Sequence, residues 1–219
     1  MSFEFMKDYY PFFLKGAGIT IVIAFFAVIF GTVLGLLLSL MKLSENKILR
    51  FIAGAYIEFV RGTPSLVQIW IVYLGLSNIG LNLPDLVTGI IALSLNSGAY
   101  VAEIIRAGIG AVDTGQMEAA RSLGMKKSMA MREIIIPQAL KNILPALGNE
   151  FIAVIKESAI VSIIGVGELM FNAQTVGGTL YNGLPPLYVA AAIYFVITFS
   201  LSRGLAKLER RLKKSDSHQ

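Results

Sequence analysis

Apolar residues run through this chain in long blocks, and the segments between them are alternately basic and free of basic residues. The first block, 19–41, carries no charge. At about 1.5 Å of rise per residue it crosses a hydrocarbon layer roughly 30 Å thick, which predicts a first membrane-spanning helix. Further blocks predict four more, about 51–76, 86–112, 143–164 and 187–208. The second is interrupted by Glu58, Arg61, Gly62, Thr63 and Pro64. Pro64 lacks a backbone donor and restrains Thr63 before it. Broken backbone at membrane depth survives only against protein or a watery cavity, so the break is expected to line a pathway. The expected fold is therefore all-α, a single five-span domain over 19–211. Residues 1–18, where Phe and Tyr mix with Lys7, Asp8 and Lys15, read as an interfacial segment, and 212–219 as a polar tail in which His218 is a surface residue. The first block is too long for a signal peptide, and no A-x-A cleavage pattern directly follows it in 42–50.

Charge orients the spans. Lys42, Lys47 and Arg50 follow the first, and Arg121, Lys126, Lys127, Arg132 and Lys141 follow the third; Arg210, Arg211, Lys213 and Lys214 follow the fifth. Segments 77–85 and 165–186 hold no Lys or Arg. Basic segments stay in the cytoplasm, which puts the N-terminus outside and the C-terminus inside. The net charge of +5 is thereby assigned to cytoplasmic loops, and no nucleic-acid partner is expected. With 55% hydrophobic and 15% charged residues, against about 25% charged in soluble domains, the expected surroundings are membrane lipid.

Candidate chemistry is sparse. There is no Cys, no P-loop, no H-E-x-x-H and no G-x-S-x-G. The pairs Gly108/Gly110 and Gly165/Gly167 lack the third glycine of a dinucleotide fingerprint. No catalytic residue, metal site or cofactor is expected in this chain.

One long polar segment, 113–137, breaks the pattern. Asp113 suits a helix start with Gln116 in capping-box position, and Gly124 suits a left-handed stop. The result is a short helix of about two turns. It carries a small-residue patch at Ala119 and Ala120 flanked by the polar anchors Glu118 and Arg121. Within the segment, Glu118-Ala119-Ala120, Gly124, Ile134, Ile136 and Pro137 fall at the spacing E-A-A-x3-G-x9-I-x-L-P, with Ile136 in place of Leu. This resembles the EAA loop of ABC importer permeases. Arg61 to Gln68 likewise resembles the RGTP-x-L-VQ signature of their polar amino acid branch, and 157–162 (ESAIVS) also looks like sequence of that family.

The resemblance implies a type I importer (MetI-like) permease in a prokaryotic cytoplasmic, or inner, membrane. Segment 113–137 would couple to a pair of cytoplasmic ATPases through Glu118, Ala119, Ala120, Gly124 and Pro137, with ATP and Mg held by those partners. A second permease, identical or paralogous, and an extracytoplasmic amino acid-binding protein would complete the system. A secondary transporter, half of a channel, or a membrane scaffold are the alternatives; the first two leave the EAA spacing unexplained, the scaffold the intramembrane charges.

Those charges mark the candidate pathway. A charge at mid-bilayer costs about 2.5–3.5 kcal/mol on insertion scales, so Glu150, Lys156 and Glu157 must face protein or water. They either pair between helices, with Arg61 or Arg106 among the partners, or meet a solute beside Ser158 and the Thr63–Gln68 break. Thr63, Gln68, Asn96 and Tyr100 either bond across helices or touch the solute. Glu103 and Arg106, three residues apart, are expected to pair. A polar L-amino acid is the expected cargo: Glu150 and Glu157 suit a basic one and Lys156 a carboxylate, with arginine, lysine, histidine or glutamine favoured.

Overall fold

The computed structural model describes residues 3–214; His218 and the end of the predicted tail lie outside them. Every described element is helical. α1 covers Met6–Leu43, α2 Lys47–Gly62, α3 Ser65–Asn78, α4 Asp85–Gly110, α5 Thr114–Ser122 and α6 Lys127–Ala130. A π-helical turn, Met131–Ile135, leads into α7, Ile136–Glu157; a 3-10 helix, Ser158–Ile164, then precedes α8, Leu169–Thr179, and α9, Leu184–Lys214.

α1 and α4 form the central pair, and they approach closely because glycines face the contact. A Cβ added at Gly35 would lie 2.7 Å from Cβ of Val101, and one at Gly98 would lie 2.7 Å from Cδ2 of Leu34. Small residues at such contacts let helix backbones approach in lipid, where no hydrophobic force drives helices together. The main core gathers Ile23 and Ala27 of α1, Ile69 of α3, Leu93 of α4, Ile155 of α7 and Val161 of the 3-10 helix.

Several expectations are corrected. The segment read as interfacial is helical from Met6 and continuous with the first span. Phe13 and Gly16 pack against α8, so tertiary contact extends the helix through an aromatic-rich stretch. The second span is two helices meeting at 112° across Thr63 and Pro64. Among the described residues three helices qualify as spans by length and composition, α1, α4 and α9, or four with the bent pair counted as one, not five. The missing span is 143–164. Its helix runs from Ile136 to Glu157 with Lys141, Glu150, Lys156 and Glu157 inside it, and it packs between α4 and α9. A helix with protein neighbours needs no apolar surface all round. Pro137 stands in the first turn of α7 and Pro145 inside it. Segment 165–186, expected to be a loop, contains α8, whose buried face seats Leu169, Ala173 and Val176 against Phe13 and Ala190.

Candidate functional site

The break in the second span is built by Pro64 and closed by Gln68. Thr63 is extended, at φ −120° and ψ 149°, as a residue preceding proline must be. The last carbonyls of α2 lose their helical partners there, and side chains replace them. The Thr63 hydroxyl donates to the Phe59 carbonyl at 2.9 Å. Nε2 of Gln68 donates to the carbonyls of Val60 (2.7 Å) and Thr63 (3.1 Å) and to Oγ1 of Thr63 (2.9 Å). Its Oε1 accepts from Nδ2 of Asn96 at 2.8 Å. Gln68 and Asn96 are buried, and these bonds fasten the bend to α4.

Asn96, Tyr100 and Glu103 follow one another up the same face of α4. The Arg61 guanidinium lies 5.6 Å from the Tyr100 ring centroid and 4.0 Å from Glu103. Glu103 also pairs with Arg106 and lies 4.0 Å from Lys42. Lys42 and Arg61 thus converge on Glu103 and tie the ends of α1 and α2 to α4, while Arg106 pairs with it within α4.

Glu150 is half-buried on α7, and its Oε1 accepts from the Ser97 hydroxyl at 2.8 Å. A hydroxyl of α4, not an arginine, meets this carboxylate. Glu157 is half-buried, Lys156 is exposed, and Ser158 is buried with its hydroxyl donating to the Ile155 carbonyl in the last turn of α7. Of the expected pathway residues, Thr63 and Gln68 gather at Asn96 of α4, and Glu150 meets α4 at the adjacent Ser97.

A third polar centre escaped the reading of the sequence. Glu168, fully buried, accepts from Tyr194 Oη at 2.7 Å, from the Phe171 N–H at 2.7 Å and from Thr20 Oγ1 at 3.4 Å. It caps α8 and joins α1, α8 and α9. Its sequence signal was a lone acid in an apolar, glycine-rich stretch. Ser97 gave none, being one hydroxyl among several in α4.

Segment 113–137 holds α5, α6 and the π turn. Asp113 caps α5 through the Gly115 N–H at 2.6 Å. Gln116 does not complete a capping box; its Oε1 accepts from Nε2 of Gln138 at 3.3 Å. Gly124, at φ +85°, ends α5 with Gly124 N–H on the Arg121 carbonyl and Met125 N–H on that of Ala120, the pair of bonds of a Schellman stop. Glu118 and Ala119 are exposed, but Ala120 is buried and α5 touches the π turn. The small-residue patch is thus half its expected size. Arg121 turns to the Met125 carbonyl at 2.7 Å and braces its own turn. Pro137 explains the π turn. It cannot donate into the ladder and its ring crowds the carbonyl four residues back, and the chain bypasses it with the Ile136 N–H bonded five residues back, to Met131.

Comparison with known proteins decides what this arrangement belongs to. Residues 27–214 match the family described as the binding-protein-dependent transport system inner membrane component. The chain belongs to this family. The arginine transport system permease protein ArtQ of Bacillus subtilis (strain 168) is 45% identical over 207 residues, 94% of each chain. The putative glutamine transport system permease protein GlnP of Rickettsia bellii (strain RML369-C) is 45% identical over 214 residues, 96% of this chain and 98% of its own. A crystal structure of an amino acid ABC transporter with histidines superposes with a TM-score of 0.93 at 52% identity, covering 96% of this chain and 99% of the other. The MetNI methionine ABC transporter, at 20% identity and a TM-score of 0.80 over 97% of this chain and 99% of its own, shares the fold. The protein is a MetI-like, multi-pass permease subunit of an ABC importer.

In this permease the Gln68 network predicts a measurable coupling. Gln68→Leu strands the Val60 carbonyl and the Asn96 amide, at about 1–3 kcal/mol for each buried unpaired group. In a cycle with Asn96→Leu, unfolding of the purified chain in detergent should show the double variant less damaged than the sum of the singles, by about 0.5–3 kcal/mol. Additive losses would show that the two amides act independently.

Proposed function

We propose that this permease carries polar L-amino acids inward across a prokaryotic cytoplasmic membrane by alternating access. The expected cargo is arginine, lysine, histidine or glutamine, the first and last matching the named cargoes of the ArtQ and GlnP relatives. Two cytoplasmic ATPase subunits bind ATP and Mg and drive it, an extracytoplasmic binding protein delivers the amino acid, and a second permease, identical or paralogous, completes the pathway. The observation that carries the reading is α5: a separately capped and stopped helix, exposed at Glu118 and Ala119, in the most basic segment between helices.

The basic residues after α1 and after α4, against none in 77–85, support a chain with its N-terminus outside and α5 in the cytoplasm. The chain has no Cys, so single cysteines report its orientation. In right-side-out vesicles an impermeant thiol reagent should label exposed Gly178→Cys and spare Glu45→Cys and Ser128→Cys. The reverse pattern would move α5 to the wrong side for an ATPase.

Coupling runs through Glu118, Ala119, Ala120, Gly124 and Pro137. Gly124→Val forces a β-branched residue into a left-handed backbone, a strain of roughly 1–2 kcal/mol, and Glu118→Lys reverses an exposed charge. In proteoliposomes containing the partner ATPase, both should lower uptake about tenfold or more, the effect of about 1.4 kcal/mol, with normal amounts of chain in the membrane. Uptake at the parent rate in both variants would reduce α5 to a connecting loop.

The cargo path passes Glu150, Lys156, Glu157 and Ser158 on one side of α4 and Tyr100, Thr63, Gln68 and Asn96 on the other. An amino acid zwitterion leaving water needs a partner for each charge, and Glu150 meets its ammonium or cationic side chain. Glu150→Gln keeps an oxygen for the Ser97 hydroxyl, so assembly with the ATPase should persist. Uptake of cationic amino acids should fall about tenfold, again about 1.4 kcal/mol, relative to neutral ones. Poor assembly with unchanged selectivity in the remaining complex would instead make Glu150 a structural group.

A further inference from the structure

Between α1, α4 and α7 lies a groove of about 290 Å³ that the transport reading does not use. Leu36, Leu40 and Leu43 of α1 form one wall and Ile136 and Leu140 of α7 the other, with Ile105 of α4 at the base. Ser39, one of its two polar lining residues with Thr32, has its hydroxyl turned to the Leu36 carbonyl at 2.8 Å. The surface offers a polar solute nothing to bond, and water needs several polar partners to occupy such a space.

Two observations identify the occupant. The first is the wall itself. Leu36, Leu40, Leu43, Ile136 and Leu140 are large and exposed, and along α1 they continue an outward apolar stripe through Phe25, Phe30 and Val33. Helix partners in membranes prefer small residues at their contacts; large aliphatic walls suit a flexible hydrocarbon chain. The second is charge. Lys42 precedes Leu43, and Lys127 and Arg132 flank Met131, another lining residue. Glu103 lies 4.0 Å from Lys42 and Glu133 3.5 Å from Arg132. Even so, segments 42–50 and 126–133 together hold six basic residues (Lys42, Lys47, Arg50, Lys126, Lys127, Arg132) against two acidic ones (Glu45, Glu133). Clusters of this kind beside membrane helices attract anionic headgroups.

We propose that this groove holds one acyl chain of an anionic phospholipid, its headgroup resting on the basic residues at the Leu43–Met131 end. The proposal takes from the transport reading only that these basic segments lie at headgroup level, and its test does not involve transport. Trp70 is the only tryptophan, so Trp70→Phe gives a silent background for the full chain reconstituted in bilayers. Leu40→Trp then reports from the rim of the groove and Phe25→Trp from the open face of α1, with Leu140→Trp on the opposite wall as a second rim probe should the first fail to fold. Brominated phosphatidylglycerol should be favoured over brominated phosphatidylcholine as quencher at the rim, relative to Phe25→Trp, by about fivefold, the effect of roughly one basic residue at an anionic surface. Combined Lys126→Gln, Lys127→Gln and Arg132→Gln should abolish that preference and leave quenching by the zwitterionic lipid intact. Equal quenching by the two lipids, no quenching at the rim (a groove covered by protein), or a preference untouched by the glutamines would each overturn the proposal.

Discussion

A chain that bends through 112° inside a membrane bundle strands backbone carbonyls where no bulk water can satisfy them, and the rest of this permease is arranged around their repair. Gln68 is suited to the task because its amide both donates and accepts. The donor end satisfies α2, from which the bend departs, and the acceptor end holds Asn96 of α4. An apolar residue of the same size would leave both sides unpaired. Arg61, one turn before the break, is held over Tyr100 and toward Glu103, so α2 is fixed to α4 by an amide below and by charges above.

α4 is consequently the element on which the polar chemistry converges. Asn96 and Ser97 are adjacent and point about 100° apart. One fastens the bend and the other holds Glu150. Placing both on one helix requires that helix to be rigid and surrounded, and α1 surrounds it through glycine contacts: the Cβ missing at Gly31 would lie 3.0 Å from the Ser97 side chain. A larger residue there would displace the hydroxyl that Glu150 uses. Packing and polarity are thus settled by the same few positions.

Features governed by local chain stiffness or long apolar runs were legible in the sequence. Pro64 announced the bend, Gly124 the end of α5, and the uncharged run 19–41 the first crossing. Features set by tertiary contact were not. The aromatic stretch before residue 19 becomes helix because Phe13 and Gly16 have α8 to pack against, and α8 forms within a glycine-rich stretch because α1 and α9 bury one side of it. The apolar block 143–164 gave α7 the wrong bounds: the helix starts at Ile136 and ends at Glu157, packed between α4 and α9. Gln116 matched the capping-box spacing, yet Gln138, twenty-two residues away, takes its side chain. Thr63, Gln68 and Asn96 announced themselves as polar groups in an apolar run, but nothing in their order revealed that they bond chiefly to one another and to the bend.

The same contacts define how a displacement of α5 would travel in the proposed transport cycle. α5 does not hang free: Ala120 is buried, Gln116 bonds Gln138, and the helix touches the π turn that precedes Pro137. From there α7 continues as one helix to Glu157. Glu150 lies thirteen residues beyond Pro137, about 20 Å along the axis. Helices transmit displacement well along their length, and α7 has two points where its ladder is weakened. At Pro137 the π turn lets the base rotate against α5; at Pro145 a missing bond lets the upper part tilt. Glu150 sits just beyond the second, where a small tilt most directly changes its distance to Ser97 on the braced α4. In the proposed cycle the proline of the E-A-A segment would serve as a hinge seat as well as a helix start, with Glu150 moving against Ser97 of α4.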